Sequence, residues 1–231
     1  MVDNLRVVIA AAGKGRRMGS NTNKQYMLLN GRPVLSYSLD FFDRLPLVSQ
    51  IVVVCAPDEI EYCDEEIVKR FRYSKVSAVV PGGPERQDSV WAGLQQLGED
   101  TDLVAVHDGA RPILSLEVLI GLVAKAREWG AAIPGIPSKE TVKLGDRDGF
   151  VRQTLDRASV YGIQTPQVFN YTELVTAYRQ AFEEGFLGTD DASLFELYIG
   201  RVKLVPGDYN NIKITTPEDM LMAEALMKGM A

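Results

Sequence analysis

The first apolar run of the chain, Val7-Val8-Ile9, leads directly into a basic loop with two closely spaced glycines, Ala10-Ala11-Ala12-Gly13-Lys14-Gly15-Arg16-Arg17-Met18-Gly19. Continuous apolar runs of this kind are typical of strands that are buried on both faces of a parallel sheet. The glycines let the backbone turn tightly and approach a ligand. Because four cations and no acid lie from Lys14 to Lys24, the loop predicts a polyphosphate site at the end of a buried strand.

Two better-known phosphate loops do not fit this spacing. A P-loop requires a lysine directly after its second glycine, where this chain has Arg16. A dinucleotide fingerprint requires a third glycine at the position of Met18, and the candidate acid Asp40 lies in a helical pattern. A glycine turn with Arg17 and Lys24 instead favours a site that binds a nucleoside triphosphate and stabilises charge at its α-phosphate. The alternative is a solvated basic loop.

The composition indicates one domain that binds small anions. With 231 residues, of which 46% are hydrophobic, the chain can bury the core of a single α/β domain over residues 1–231. Its 25 Lys and Arg against 31 Asp and Glu give a net charge of −6. An acidic chain is a poor match for nucleic acid or a membrane surface, so neither is expected as a partner.

Cysteine and histidine usage argues against a metal centre and a disulfide framework. The chain has Cys55, Cys63 and the single histidine His107, with no CxxC motif. This usage predicts a reducing cytoplasm. The N-terminus shows no charged leader before the first strand, and no apolar run approaches membrane-spanning length. We therefore expect a cytoplasmic protein.

Three further apolar runs, at 50–56, 76–80 and 103–106, are each followed by a polar turn and a helical pattern. This alternation predicts a Rossmann-like, open and mostly parallel α/β sheet. A fifth strand is expected at 131–134, with Pro134 indicating an edge or a bulge. A last strand is expected at 202–205.

Two more polar turns follow predicted strands, Gly82-Gly83-Pro84-Glu85-Arg86-Gln87-Asp88-Ser89 and His107-Asp108-Gly109-Ala110-Arg111-Pro112. Ligands of open α/β sheets bind beyond the carboxyl ends of the strands, so both turns should converge with the basic loop. Ser89 would bind a base or phosphate, or be ordinary helix-surface polarity. Asp108 and Arg111 would hold ribose, metal or phosphate, or pair with each other. A structural role is favoured for His107.

The pattern changes at residues 138–158. Two alternating segments, 141–144 and 150–154, flank the polar turn 145–149 and predict an isolated β-hairpin. Two-stranded hairpins are marginal alone. We therefore expect this arm to pack on a second subunit and to serve as a dimerisation element.

Six segments, taken in order, resemble the 2-C-methyl-D-erythritol 4-phosphate cytidylyltransferase family. They are Ala11-Ala12-Gly13-Lys14-Gly15-Arg16-Arg17-Met18, Lys24-Gln25-Tyr26, Gly82-Gly83-Pro84-Glu85-Arg86-Gln87-Asp88-Ser89, Val106-His107-Asp108-Gly109-Ala110-Arg111-Pro112, Thr165-Pro166-Gln167 and Asn211-Ile212-Lys213. The segments span nearly the whole chain, and the ordered set is far more specific than any one of them.

The resemblance implies a nucleotidyltransferase-type Rossmann-like sheet with a protruding β-hairpin arm. It implies that CTP and 2-C-methyl-D-erythritol 4-phosphate react to give 4-diphosphocytidyl-2-C-methyl-D-erythritol and pyrophosphate in the non-mevalonate isoprenoid pathway. Mg2+ would be held mainly by the triphosphate, with no direct protein ligand assigned beyond a water-mediated role for Asp108. The chain would form a homodimer in which the arm of residues 138–158 reaches the partner's site.

The resemblance also assigns roles to individual residues. Arg17 and Lys24 would be the catalytic cations. The CTP-binding positions would be Ala11, Ala12, Gly13, Gly15, Gly83, Ser89, Gly109 and Lys213. The positions binding the polyol phosphate would be Asp108, Arg111, Thr141, Arg157, Thr165 and Lys213.

Several alternatives remain at this point. A ribitol 5-phosphate cytidylyltransferase of wall teichoic acid synthesis shares the fold and the loop, although its loop more often begins with Ala-Gly-Gly, whereas this chain has Ala11-Ala12-Gly13. A sugar-phosphate uridylyl- or thymidylyltransferase is disfavoured by the same residues and by the chain length. A catalytically silent nucleotide-binding protein would be favoured by loss of Arg17 or Lys24, and both are present.

Overall fold

The computed structural model describes residues 4–13 and 23–230. The predictions for Gly15 and Arg17 fall outside these residues. The strands, in chain order, are β1 (Leu5–Ala11), β2 (Leu28–Leu29), β3 (Arg32–Pro33), β4 (Val48–Cys55), β5 (Val76–Pro81), β6 (Leu103–Asp108), β7 (Ala131–Pro137), β8 (Lys143–Gly145), β9 (Val151–Thr154), β10 (Tyr161–Ile163), β11 (Gln167–Asn170) and β12 (Lys203–Pro206).

The helices lie between these strands, as expected for an α/β domain. They are α1 (Val34–Asp43), α2 (Ile60–Tyr62), which continues into a π-helical segment (Cys63–Lys69), α3 (Arg86–Leu94), α4 (Leu116–Trp129), α5 (Tyr171–Glu184), α6 (Asp191–Tyr198) and α7 (Pro217–Met230). Short 3-10 turns are formed by Lys24–Tyr26, Pro57–Glu59 and Arg157–Ser159. Among the described residues, no helix combines the length and the apolar character needed to cross a bilayer.

The central sheet has eight strands and confirms the predicted mostly parallel architecture. Its order is β10-β7-β11-β6-β1-β4-β5, and β12 pairs with β7. β1 pairs in parallel with both β4 and β6, and β4 pairs in parallel with β5. The antiparallel strands β10 and β11 were not predicted from the sequence. They are only three and four residues long, too short to show a clear alternation.

The expectation of a strand edge at Pro134 is wrong, because β7 has partners on both sides. β12 pairs with one side of β7, and β11 and β10 pair in succession with the other. The Pro134 carbonyl accepts from the Gln164 N–H, at the break between β11 and β10. The nitrogen and the carbonyl of one residue point to the same side of a strand, so the nitrogen of Pro134 also faces this break. No strand of the described residues is paired there, and the sheet therefore loses no hydrogen bond because proline lacks an N–H.

Apolar layers cover both faces of the sheet. Successive side chains of β1 alternate, so that Val7 and Ile9 pack in one layer and Val8 in the other. The first layer includes Leu39 of α1, and the second includes Val90 of α3. Burial on both faces explains why the run contains no polar residue. Each such side chain contributes about 1.5–3 kcal/mol of transfer free energy.

The carboxyl ends of β1, β4, β5 and β6 lie at one edge of the sheet, and their loops are fastened to one another there. The Gly82 N–H donates to the Cys55 carbonyl at 2.7 Å, and the Gly109 N–H donates to the Ala10 carbonyl at 2.9 Å. The predicted convergence of the turns therefore occurs at this edge.

The predicted hairpin is present as the antiparallel pair β8 and β9, with Lys143 opposite Thr154. The hairpin carries three exposed apolar side chains, Leu144 (47% exposed), Phe150 (72%) and Val151 (63%). Exposure of large apolar groups on a thin arm is typical of a surface that contacts a partner. Its role in dimerisation stays a prediction.

Candidate active site

A cleft at the carboxyl edge of the sheet brings together eight residues predicted from the sequence. They are Ala11, Ala12, Gly13, Lys24, Gly83, Ser89, Asp108 and Lys213. Four loops that are far apart in the chain supply them. Small residues form the wall at the end of β1, while lysines and a carboxylate line the remainder.

The other described residues of the prediction lie elsewhere. Gly109, Arg111 and Thr165 pack behind Asp108, and Thr141 and Arg157 belong to the arm region. The Arg157 guanidinium is exposed, and its Nη1 lies 3.4 Å from the Lys139 carbonyl. The cleft of one chain is therefore lined without Thr141 and Arg157.

Asp108 is the electrostatic centre of the cleft. Its Oδ2 accepts from Lys213 Nζ at 2.7 Å, and its Oδ1 accepts from Arg86 Nε at 3.2 Å. Arg111 Nε is more distant, 3.8 Å from Oδ2. Burial by itself raises the pKa of the Asp108 carboxyl, but the charges of Arg86, Lys213 and Arg111 outweigh it and hold that pKa well below its usual range. Asp108 is therefore ionised and fixed in orientation at neutral pH.

Lys24 is placed by the 3-10 turn that follows the basic loop. Its Nζ donates to the Ile214 carbonyl at 2.9 Å, and the neighbouring Gln25 donates from Nε2 to the Ala11 carbonyl at 2.6 Å. These bonds fasten the Lys24–Tyr26 turn both to β1 and to the segment that carries Lys213. As a result, the ammonium groups of Lys24 and Lys213 belong to one cleft.

The second glycine turn is braced by its own side chains. The Gly83 N–H donates to Ser89 Oγ at 3.2 Å, and Ser89 Oγ donates to the Glu85 carbonyl at 3.1 Å. A Cβ at Gly83 would lie 2.3 Å from the Cβ of Asp88, so the turn admits no side chain there. Ser89 is only 3% exposed. The alternative of ordinary helix-surface polarity for Ser89 is therefore wrong.

His107 is a structural residue behind the cleft. Its Nε2 lies 3.2 Å from the Arg111 carbonyl, and its Nδ1 lies 3.1 Å from Thr165 Oγ1. Because a carbonyl only accepts, these partners place the proton on Nε2 and make Nδ1 the acceptor for the Thr165 hydroxyl. Thr165 Oγ1 also accepts from the Asp108 N–H at 3.0 Å. Complete burial lowers the pKa of His107 to about 4, so the ring is neutral.

Two charged residues of this region have no role assigned from the sequence, Arg86 and Asp191. Arg86 lines the cleft, and its guanidinium contacts both Asp108 and the fully buried Asp191. The one available sequence signal is Arg86 itself, a cation at the first position of a helix, where the dipole favours acids. Asp191 gives no such signal, because an acid at the start of α6 is ordinary.

Comparison with known proteins identifies many relatives. A sequence model described as IspD, 2-C-methyl-D-erythritol 4-phosphate cytidylyltransferase, matches residues 5–229. A protein of that name from Caldanaerobacter subterraneus subsp. tengcongensis is 46% identical over 225 residues, which cover 97% of this chain and 99% of the relative. Another, from Pelotomaculum thermopropionicum, is 48% identical over 228 residues, 99% of this chain and 96% of the relative.

Solved structures show the same likeness. The 4-diphosphocytidyl-2C-methyl-D-erythritol synthase of Anaerococcus prevotii superposes with a TM-score of 0.86 at 35% identity, over 98% of this chain and 96% of that one. The 2-C-methyl-D-erythritol 4-phosphate cytidylyltransferase of Thermus thermophilus gives a TM-score of 0.79 at 29% identity, over 97% of this chain and 99% of that one.

Proposed function

The chain belongs to the 2-C-methyl-D-erythritol 4-phosphate cytidylyltransferase family, and on that premise we propose how its cleft performs the reaction. The enzyme transfers the cytidylyl group of CTP to 2-C-methyl-D-erythritol 4-phosphate, with release of pyrophosphate, in isoprenoid biosynthesis. The observation that carries the residue assignments is the convergence of a small-residue wall, two lysines and an ionised carboxylate at one sheet edge. The relatives reported above do not favour the ribitol alternative.

Lys24, together with Arg17 from the basic loop, binds the triphosphate and stabilises the charge that develops on the α-phosphoryl group. An oxygen of the polyol phosphate attacks the α-phosphorus while the bond to the bridging oxygen of pyrophosphate breaks. Lysine and arginine side chains ordinarily carry a positive charge at neutral pH, which suits charge stabilisation and not proton abstraction. The attacking phosphomonoester is already ionised at this pH, so no general base is needed. The neutral His107 behind the cleft agrees with this scheme.

The cytosine and ribose lie against the wall formed by Ala11, Ala12, Gly13 and the Gly83 turn. Small side chains leave room for the nucleotide and let backbone groups contact the base. Gly109 supports the wall from behind, where a Cβ would lie 3.2 Å from the Cβ of Ala11. Ser89 holds the Gly83 turn in place through the hydrogen bond to its N–H.

The polyol phosphate binds on the Asp108 side of the cleft. The Asp108 carboxylate accepts from substrate hydroxyls, and Lys213 contacts phosphate oxygens of either substrate. Arg111 and Thr165 act on the same substrate by setting the position of the Asp108 loop from behind. Thr141 and Arg157 reach the cleft of a second subunit through the arm of residues 138–158. Their absence from the cleft lining of their own chain supports a homodimer of this form.

Mg2+ would be bound by the triphosphate of CTP. Among the described residues, no three His, Cys, Asp or Glu side chains cluster as a metal site. Asp108, one of the carboxylates that line the cleft, is already paired with Arg86 and Lys213. These residues do not form a protein ligand set for the ion, so no step of the reaction depends on a metal ligand from the protein.

A cytoplasmic location is supported by Cys55 and Cys63, which are both buried and free.

The test is pyrophosphate release from CTP in the presence of Mg2+, with 2-C-methyl-D-erythritol 4-phosphate or D-ribitol 5-phosphate as the acceptor. The Lys24→Ala variant serves as the blank. Release with the methylerythritol acceptor only is expected. Release with the ribitol acceptor only would overturn the assignment of methylerythritol phosphate as the acceptor, while the assignment of the triphosphate site would stand.

A further inference from the structure

Arg86 joins two carboxylates that come from different parts of the chain. Its Nη1 and Nη2 lie 3.0 and 2.8 Å from the two oxygens of Asp191, and its Nε lies 3.2 Å from Oδ1 of Asp108. A two-pronged contact of this kind fixes the plane of the guanidinium as well as its position. The remaining nitrogen, Nε, is therefore aimed at Asp108.

Asp191 is a rigid anchor for this arrangement. It is 0% exposed, and Tyr178 donates its hydroxyl to Asp191 Oδ1 at 2.6 Å. The Tyr178 ring is itself packed against Trp91, with ring centroids 5.8 Å apart. Asp191 begins α6 and Tyr178 lies on α5, so two helices outside the cleft hold Arg86 in place.

The location of Arg86 is not explained by helix preference. Arg86 is the first residue of α3, where the positive end of the helix dipole disfavours a cation. The capping box of this helix is formed by Glu85 and Asp88 and does not require Arg86. The contacts that remain to account for an arginine here are those with Asp191 and Asp108.

The contact with Arg86 helps to fix the orientation of the Asp108 carboxylate in the cleft. Arg86 takes Oδ1 and Lys213 takes Oδ2, so the carboxylate cannot rotate without losing a charged partner. Three cations, Arg86, Arg111 and Lys213, surround two carboxylates in this cluster. One net positive charge remains, which favours an anionic substrate above the cluster.

We propose that Arg86, held by Asp191, is a positioning residue that fixes the Asp108 carboxylate for the polyol phosphate. This inference rests on the proposed function, which places that substrate at Asp108. Asp191 lies outside the cleft lining and acts on the substrate only through Arg86 and Asp108.

A double-mutant cycle tests this. The kinetic constants for methylerythritol phosphate and for CTP are measured for wild type, Asp191→Asn, Asp108→Asn and the double variant. Asp191→Asn keeps the shape of the side chain and the acceptor for Tyr178 while it removes the charge. We expect it to raise the KM for the polyol phosphate about 10-fold, the lower end of the loss seen when the hydrogen-bonding partner of a metal ligand is removed, with a smaller change for CTP.

In the Asp108→Asn background, the same Asp191→Asn change is expected to raise the KM for the polyol phosphate less than about 2-fold. The reason is that the effects of residues that act as one unit are not additive.

Asp100→Asn is the matched control, since Asp100 pairs with Arg6 at 2.6 Å near the opposite end of β1. Circular dichroism checks the fold of each variant. If Asp191→Asn does not fold, Arg86→Lys, which keeps the charge and loses the two-pronged contact, replaces it in the cycle.

An unchanged KM for the polyol phosphate in Asp191→Asn would overturn the inference. So would an equal rise in this KM when Asp191→Asn is made in the wild type and in the Asp108→Asn variant. The second result would show that the pair merely stabilises the fold. Failure of the proposed function looks different, since wild type itself would then not use methylerythritol phosphate. If wild type used D-ribitol 5-phosphate instead, the same cycle would be measured with that acceptor.

Discussion

Lys213 Nζ lies 2.7 Å from Asp108 Oδ2, although the two residues are 105 positions apart in the chain. The contact joins the segment 211–214 to the end of β6. One backbone bond and one side-chain bond hold this segment. The Ile214 N–H donates to the Ala110 carbonyl at 2.8 Å, and Arg111 Nη1 donates to the Asn211 carbonyl at 2.7 Å. The cleft therefore obtains a lysine from a segment that has no regular secondary structure.

Removal of the Lys24 ammonium is expected to lower kcat by at least about 100-fold, because loss of one preorganised donor to developing charge typically costs that much. Lys24→Ala and Arg17→Ala are compared with wild type by pyrophosphate release. Lys125→Ala is the control, since Lys125 lies on the exposed surface of α4, away from the cleft, and pairs there with Glu128. Near-normal turnover in both test variants would contradict the proposed mechanism.

Arg157→Ala is expected to raise the KM for the polyol phosphate about 10-fold or more and that for CTP much less, because a guanidinium fork suits phosphate oxygens. The measurement is steady-state kinetics with each substrate varied in turn. Arg147→Ala, at the exposed turn of the same arm, is the control. Equal effects on the two substrates would exclude a specific contact with the polyol phosphate.

The arm predicts an oligomeric state. Phe150 is 72% exposed on the hairpin, and a charge at this position would disfavour burial against a partner. Sedimentation velocity is expected to show a dimer for wild type and a shift toward monomer for Phe150→Asp, with a parallel loss of activity. Leu221→Asp, at a 68% exposed position on α7, is the control. A monomeric wild type with full activity would refute an arm-mediated dimer.

His107 predicts how stability depends on pH. Burial lowers its pKa from 6.5 to about 4, so between these values the unfolded chain binds a proton that the folded chain does not. The stability that the folded state has with a neutral His107 is therefore fully present above about pH 6.5. It is lost progressively as the pH falls toward 4. We expect the free energy of unfolding to fall by about 2 kcal/mol between pH 7 and pH 5.

The measurement is urea unfolding at several pH values, with His107→Gln as the comparison. His107 is the single histidine of the chain, so the variant removes this titration entirely. The free energy of unfolding should then fall less steeply over the same range. An identical pH dependence in the variant would show that other groups cause it.

Local patterns in the sequence were sufficient for much of the fold and part of the site. Continuous apolar runs predicted β1, β4 and β6 because both faces of those strands are buried. Alternation predicted the hairpin of β8 and β9, and glycine spacing predicted the turn at Gly83. These features depend on neighbours within a few residues, so the sequence displays them directly. The positions of the strand ends then placed Lys24 and Asp108 at one edge.

The partners of the charged residues were decided by the tertiary structure. The sequence suggested Asp108 with Arg111, three residues apart, whereas the closer partners of Asp108 are Arg86 and Lys213. Pro134 lies inside the sheet because two short strands, β10 and β11, share one side of β7. Asp191 holds Arg86 from 105 residues away. Such contacts depend on how distant segments cross at the sheet edge, and no local propensity or periodicity encodes that crossing.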